Sequence, residues 1–252
     1  MTGPATAPRE APVRTPGAFL AVYKLVLRNQ ARIGRILAVV ALGGVGVLLG
    51  LAVGLNDPYD PVYRGAHLVN YYGLTLLVPV VSLMFASSAL GDMVDDKTLV
   101  YLWLHPVNRI VVAAAAAAAA LTVCLPAVVI PVALAAALTR GGADLVAGAA
   151  VAATVGVIGY VGLFLALGLR FRRALVWGLA YILLWEGFVA TASKTATRLA
   201  IRGYTQSVLS EYTGVGFKRA TFPLAVGIVV PILVGILFVV LTGRRLARTP
   251  VD

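Results

Sequence analysis

The sequence has few of the residues that disulfide-bonded and metal-binding proteins use. Cysteine occurs once, at Cys124, so the chain cannot form a disulfide within itself, and the surrounding residues are apolar. The two histidines, His67 and His105, belong to no Cys/His cluster with the spacing of metal ligands. Charged residues make up 12% of the chain, about half the share in soluble globular domains. We therefore expect neither a metal site nor a catalytic site in this chain.

The sequence also lacks the loop that binds the phosphates of ATP. That loop has the form Gly-x-x-x-x-Gly-Lys-Ser/Thr, in which backbone N–H groups surround the phosphates. The chain contains no Gly-Lys pair. We expect that it binds no cofactor itself, and that any ATP and Mg²⁺ on which its function depends are bound by a partner subunit.

Long hydrophobic runs take the place of charge. Hydrophobic residues make up 60% of the sequence, and its mean hydropathy is +0.94. A helix needs about 20 apolar residues to cross the hydrocarbon core of a bilayer. Six blocks have roughly this length: 36–55, 71–90, 110–138, 145–169, 174–192 and 222–242. The sequence predicts an all-α, polytopic integral membrane protein with six transmembrane helices.

The remaining segments predict one membrane domain between two tails. Residues 1–16 contain four prolines and no apolar run, so we expect a disordered cytoplasmic tail and not a signal peptide. The six-span domain is predicted over residues 17–245, and residues 246–252 form a second cytoplasmic tail.

The net charge of +11 predicts contact with anionic membrane lipid and not with nucleic acid, because Lys and Arg concentrate in the loops that flank the spans. With a cytoplasmic N-terminus, 14 of the 21 Lys and Arg residues fall inside and seven fall outside. Five of those seven lie in the long segment 193–221, where the charge rule counts less. We predict a plasma (inner) membrane protein with both termini in the cytoplasm.

An amphipathic helix is predicted over residues 17–35, before the first span. Its basic residues share one face, and its apolar residues share the opposite face. The basic face has Lys24, Arg28, Arg32 and Arg35, and the apolar face has Phe19, Val22, Val26 and Ile33. Such a helix lies in the membrane interface. Two roles stay open, a simple lipid anchor and a helix that also braces a cytoplasmic partner.

Two further segments predict helix packing. Glycines recur every four residues in the first span, at Gly46, Gly50 and Gly54, and such a stripe lets two helix backbones approach closely. The neighbour is either another helix of this chain or a second copy. Before the last span, residues 193–221 predict a short external helix that lies on the outer surface and ends near Gly214 and Gly216. Its apolar face has Leu199, Ile201, Tyr204, Val208 and Tyr212, and its polar residues include Arg198, Arg202 and Glu211.

A carboxylate falls within the fifth predicted span, where Glu186 follows Trp185 near the outer end. An ionisable side chain in hydrocarbon is energetically costly and by default marks a functional hypothesis. Three roles stay open: part of a translocation path or outer gate, a hydrogen-bond partner of a side chain such as tyrosine, and exposure at the membrane interface.

Residues 91–109, which we call the coupling segment, join the second and third predicted spans. The segment contains, in order, Asp92, Asp95, Asp96, Lys97, Thr98, Leu99, Tyr101, Leu102, Trp103, Leu104, Pro106 and Arg109. It resembles the first cytoplasmic loop of the permeases of type 2 ABC exporters. Those loops have an acid-rich helix, a Thr-Leu pair, an apolar and aromatic stretch, a proline and a basic residue. Lys97 stands where that family usually has glycine.

The resemblance implies a transport subunit that is not itself an enzyme. It implies an exporter permease that pairs with a second copy of itself or a related permease, and with ABC ATPase subunits that hydrolyse ATP. Energy coupling would then fall to the acids of the coupling segment, to Lys97, Thr98, Leu99, Leu102, Trp103, Pro106 and Arg109, and Glu186 would line the path or the outer gate. The six spans and the external element before the last one are also similar to that family.

Two other functions stay open. A membrane scaffold or assembly subunit would have the same composition without moving a substrate. A prenyltransferase-like membrane enzyme would use the Asn-Asp-x-x-Asp motif at residues 56–60, together with the acids of the coupling segment, to hold a diphosphate through magnesium. One span separates these two motifs, so they are predicted on opposite faces of the membrane, and this function is disfavoured.

Overall fold

The computed structural model describes residues 15–56, 59–95, 108–192, 194–218 and 220–248, and every regular element within these ranges is a helix. Five helices are long and apolar enough to cross a membrane: Ile33–Leu55, Pro61–Gly91, Arg109–Leu138, Gly142–Arg170 and Leu224–Leu246. The all-α prediction is confirmed, and these helices are those of a multi-pass membrane protein. Of the predicted tails, residues 1–14 and 249–252 lie outside the described residues.

The chain forms its elements in a simple order. After α1 (Thr15–Gln30) and α2 (Ile33–Leu55), one long helix is made of α3 (Pro61–Leu68), the π-helical stretch π1 (Val69–Leu77) and α4 (Val78–Asp95). Then follow α5 (Arg109–Leu138), α6 (Gly142–Arg170), α7 (Ala174–Ala180), π2 (Tyr181–Val189), the short helices α8 (Ala190–Ala192) and α9 (Lys194–Thr197), α10 (Ile201–Thr213) and α11 (Leu224–Leu246).

Local side chains explain several helix ends. The Asp60 carboxylate accepts a hydrogen bond from the Tyr63 N–H (2.9 Å) at the start of α3, and the Asn108 side chain accepts one from the Ile110 N–H (2.9 Å) at the start of α5. Both are N-caps, which satisfy amides that lack an intrahelical acceptor. Gly214 has a φ of 69° and donates its N–H to the Ser210 carbonyl at 2.8 Å, so it ends α10 as predicted.

Helix α6 is the centre of the bundle and packs against α4, α5, α10 and α11. Glycines let its backbone touch the backbones of two of these helices. A Cβ atom added at Gly162 would overlap the Gly235 backbone of α11, and one added at Gly168 would overlap the Ser87 backbone of α4. Close backbone approach gives dense van der Waals packing where no hydrophobic effect drives helices together.

These contacts define the two ends of the bundle. Gly91, near the end of α4, lies against Gly168, near the end of α6, and Gly243 of α11 lies against Ile110 at the start of α5. We call this the basic end, because it has Arg109, Arg170, Arg172, Arg173, Arg244 and Arg245. At the opposite end, Gly54 of α2 lies against Leu138, the last residue of α5. Which end faces the cytoplasm stays a prediction.

The fifth predicted span, residues 174–192, is helical through α7, π2 and α8, but it is not among the five helices that are long enough to cross a membrane. The apolar helix Ala174–Val189 has 16 residues and a length of about 24 Å, which is shorter than the hydrocarbon core of a bilayer. The chain continues with α10, which starts with Ile201 beside Gly159 in the middle of α6 and ends with Tyr212 beside Gly148 near the start of α6. The chain therefore runs from the basic end of the bundle to the opposite end in two helical pieces, the helix that starts with α7 and helix α10.

The prediction of a helix on the outer surface over residues 193–221 is wrong in its burial. Helix α10 forms, but all nine residues from Ile201 to Leu209 are buried, including Arg202 and Gln206. The acid of this helix, Glu211, is exposed and lies in the last turn. Hydrogen bonds inside the protein compensate for the burial of several of these polar side chains.

Helix α1 packs on α5 and on α4. The Tyr23 hydroxyl lies 3.1 Å from Thr122 Oγ1, and the Gln30 amide donates to the Phe85 carbonyl at 3.4 Å. Val22 and Val26 are buried, whereas Lys24 and Arg28 are exposed, as the two faces predicted. The helix ends at Gln30, however, so Arg32 lies in the break before α2.

Beyond that break, Arg35 and Ile33 belong to α2, and the Ile33 side chain is 79% exposed. The predicted helix over residues 17–35 is thus two helices, and its basic and apolar faces extend only to Arg28 and Val26. The placement of α1 in the membrane interface stays a prediction.

The glycine stripe of the first span packs within this chain. A Cβ atom added at Gly50 would overlap the Ala135 backbone, one at Gly54 would overlap the Leu138 carbonyl, and one at Gly46 would lie 2.7 Å from the Tyr72 ring. The Tyr72 hydroxyl donates to the Leu42 carbonyl at 2.5 Å. The neighbour that the sequence left open is therefore α5 together with π1.

Substitution at Gly50 tests this packing. We expect Gly50→Ala to lower the free energy of unfolding by about 1–3 kcal/mol, because the methyl group must displace the α5 backbone. Gly44→Ala is the matched control in the same helix, since a Cβ atom there meets nothing within 4 Å. The control should be neutral or stabilising by up to about 1 kcal/mol. Thermal unfolding in detergent measures both, and equal stabilities would contradict the packing.

Candidate functional site

The coupling segment falls largely outside the described residues. The α4 backbone continues through Asp92 and Asp95, whereas Asp96, Lys97, Thr98, Leu99, Leu102, Trp103 and Pro106 lie outside them. Arg109 is the first residue of α5 and is partly buried. Both ends of the segment lie at the basic end of the bundle.

The acids of the two motifs considered for a diphosphate do not converge. Asp60 caps α3, and Asp95 ends α4, at the other end of the same long helix. The 35 residues from Pro61 to Asp95 give a separation of about 50 Å. A single metal-bound substrate cannot contact both.

The side chain of Glu186 points into the protein from π2, on the same face as the buried Ile182. Glu186 is 3% exposed, whereas Leu184 and Phe188 on either side are 60% and 73% exposed. Exposure at the membrane interface, one of the three predicted roles, is therefore not what the structure shows. A buried carboxylate needs compensating donors or charges.

Two tyrosines supply donors to this carboxylate. The Tyr160 hydroxyl of α6 donates to Glu186 Oε2, and the Tyr181 hydroxyl donates to Oε1 at 3.2 Å. Tyr160 is fully buried and stacks on Phe164 (ring centroids 5.6 Å apart), which meets Tyr181 edge-on at 6.1 Å. The predicted partnership of Glu186 with a tyrosine is present, and aromatic packing orients both hydroxyls.

Arg202 supplies positive charge from a third element. Its backbone N–H hydrogen-bonds to the Glu186 carboxylate, and its guanidinium is close enough to attract that carboxylate electrostatically. Arg202 is the second residue of α10, and Ala200 at the N-cap has no side chain that can cap the helix. The carboxylate therefore takes the place of a capping residue and complements the positive end of the helix dipole.

We call Glu186, Tyr160, Tyr181 and Arg202 the Glu186 cluster. It joins α6, π2 and α10. These three elements meet where the chain passes from the helix of π2 to α10. Within the cluster, the Glu186 carboxylate receives hydrogen bonds from both tyrosines and from the Arg202 backbone, and the Arg202 side chain offsets its charge. These contacts hold π2 and α10 together, and the two elements would separate if the contacts were broken.

A second buried polar contact lies one turn further along α10. The Gln206 amide donates to the Asn70 side-chain carbonyl at 2.6 Å, and both residues are 3% exposed. Asn70 belongs to π1, so this bond ties α10 to the long helix that leads to the coupling segment. Sequence reasoning missed both residues, although the four-residue spacing of Arg202 and Gln206 was a signal for one polar, inward face.

A double-mutant cycle tests the pairing of Glu186 with Arg202. We expect Glu186→Gln and Arg202→Gln each to destabilise the protein, and the pair to show a coupling energy of about 1–3 kcal/mol, because either single change leaves a buried charge without its partner. Unfolding in detergent measures all four proteins.

Arg198→Gln supplies the matched control, since Arg198 lies four residues earlier and its side chain is exposed. Its coupling to Glu186→Gln should be below about 0.5 kcal/mol. A coupling to Arg202 as small as that to Arg198 would contradict the assignment.

Comparison with protein-family models and with curated proteins finds no match to this chain. The family is thus not shown by similarity, and the function is argued from the residues and their arrangement.

Proposed function

We propose that the chain is the membrane-spanning permease subunit of an ATP-driven exporter of the type 2 ABC class, and that a separate ATPase subunit binds and hydrolyses the ATP. The observation that carries the proposal is the coupling segment, whose acids, Thr98-Leu99 pair, aromatic stretch and Pro106 resemble the cytoplasmic loop of those permeases. The all-helical membrane bundle supports it, because a transport path needs several spans around it.

The coupling segment provides both parts of a contact with a soluble partner. Its acids and Lys97 would orient the partner electrostatically, and Leu99, Leu102 and Trp103 would fill an apolar groove on it. A second copy of the chain, or a related permease, completes the transporter. The basic end is then the cytoplasmic end, in the plasma membrane.

A packed route leads from the coupling segment to the Glu186 cluster. Helix α4 ends in the segment and contacts α6 at two levels: Ser87 touches Gly168, and Val78 lies about 3.0 Å from a Cβ built at Gly156. Tyr160 lies on α6 between these two levels. Because packed cores shift between discrete arrangements and do not deform continuously, movement of α4 would shift Tyr160 relative to Glu186.

We assign Glu186 a gating role on this basis. Discontinuous membrane helices are typical of transporters, in which helix ends near the membrane midplane contact substrates or change position. Breaking the contacts of Glu186 with Tyr160 and Arg202 would free π2 from α6 and from α10. The cluster would therefore hold one of the two states of alternating access.

Substitution of the acids tests the coupling role. We expect Asp95→Ala combined with Asp96→Ala to abolish most of the hydrolysis that the permease stimulates in its co-purified ATPase subunit, and to weaken the complex most at low salt, where the lost charges are least screened. Asp144→Ala combined with Glu211→Ala removes two exposed acids from the opposite end and should change neither property. Unchanged complex formation and hydrolysis in the first variant would refute the proposal.

The same reconstituted complex tests the gate. We expect Glu186→Gln to leave the complex intact while reducing stimulated hydrolysis severalfold, because the two states would no longer differ by an ion pair with Arg202. Glu211→Gln, which removes an exposed acid from α10, should have no effect. A purely structural Glu186 would instead lower stability without changing hydrolysis by the protein that remains folded.

A further inference from the structure

A cleft of about 380 Å³ lies at the basic end, between α4, the end of α6 and the start of α7. This volume is within the range of roughly 300–1,000 Å³ that is usual for small-molecule sites. Four arginines line it: Arg35, Arg170, Arg172 and Arg173. None of the carboxylates whose side chains the structure describes is among its lining residues.

The arginines are the donors that this cleft offers to a ligand. Ser87 and Ser88 also line it, but their hydroxyls already donate to the Leu83 and Phe85 carbonyls, at 2.6 and 3.0 Å. Arg170, Arg172 and Arg173 are exposed. Guanidinium groups bind phosphate oxygens through paired, charge-assisted hydrogen bonds, so the cleft favours a phosphate group.

An apolar and aromatic surface continues directly from the cleft. Phe171 and Leu175 line it, and the Phe171 ring stacks on Trp177 with centroids 5.1 Å apart. Leu175, Val176 and Trp177 are all more than half exposed. A soluble anion would leave this surface uncovered, whereas the acyl chains of a lipid would cover it.

We propose that this cleft is a specific site for an anionic phospholipid. The phosphate of the headgroup pairs with Arg170, Arg172 and Arg173, and an acyl chain lies along Leu175 and Trp177. Basic pockets between transmembrane helices recognise acidic headgroups in this way. Because the cleft lies against Ser87 and Gly168, where α4 touches α6, a bound lipid would brace that contact whether or not the chain transports a substrate.

Fluorescence quenching of Trp177 tests the site. In a Trp103→Phe, Trp185→Phe background, Trp177 is the remaining tryptophan. We expect phosphatidylglycerol with brominated chains, in nanodiscs of phosphatidylcholine, to quench it with an apparent affinity roughly tenfold above that of brominated phosphatidylcholine. Equal quenching by the two lipids would overturn the proposal.

The charge-deletion variant locates the binding. Arg170→Gln, Arg172→Gln and Arg173→Gln together should bring the preference down to about one, and their exposure makes folding tolerant of the change. Arg244→Gln, Arg245→Gln and Arg248→Gln remove the same charge from a neighbouring cleft at the same end and should leave most of the preference. Equal losses in both variants would show a diffuse surface charge and would overturn the site.

A third arm separates lipid from soluble anion. Inorganic phosphate, added at constant ionic strength, should not remove the preference for phosphatidylglycerol, since it cannot occupy the apolar surface. Complete displacement by millimolar phosphate would assign the cleft to a soluble phosphate ligand and overturn the lipid assignment. If the triple variant fails to fold, the single variants Arg172→Gln and Arg173→Gln must each lower the preference for the proposal to stand.

Discussion

A break in a helix leaves backbone groups without intrahelical partners, and this constraint governs the arrangement around residues 190–200. Each backbone group freed by the break must find a partner inside the protein. The Thr197 hydroxyl donates to the Ala190 carbonyl at 2.8 Å, and the Tyr204 hydroxyl donates to the Arg198 carbonyl at 2.6 Å. The Glu186 carboxylate serves the amide at the start of α10. The polar residues of this region are therefore what permits the break.

The close backbone packing around α6 bears on how the break before α10 would act in the proposed mechanism. Glycine contacts bring α4 and α11 against α6 on either side of the Glu186 cluster, and such contacts leave little room for gradual sliding. In the proposed mechanism, a displacement at the basic end would be transmitted as a shift between two packed arrangements. The proposed coupling segment and the proposed lipid cleft both lie where α4 meets α6, and the Glu186 cluster includes Tyr160 of α6. Energy input, membrane composition and gate position would therefore all act through the packing of α6.

Much of the fold followed from local patterns. Five apolar blocks became single long helices, because length and hydrophobicity alone decide whether a segment can span a bilayer. The helix end at Gly214 and the faces of α1 up to Arg28 were also predictable, since capping and amphipathic periodicity are local properties. The predicted exposure of α10 was wrong because its burial depends on residues that are distant in the sequence. Its polar residues suggest exposure unless their distant partners are known.

The sequence by itself determined a helical membrane protein with a charged coupling segment between its second and third spans, because composition and spacing are sufficient for both. The tertiary structure decided which polar residues are buried together. Tyr160 and Glu186 are 26 positions apart and Asn70 and Gln206 are 136 apart, and no local pattern pairs them. It also decided that the glycine stripe meets α5 of the same chain. Each of these contacts depends on how whole helices cross, which only the packed bundle specifies.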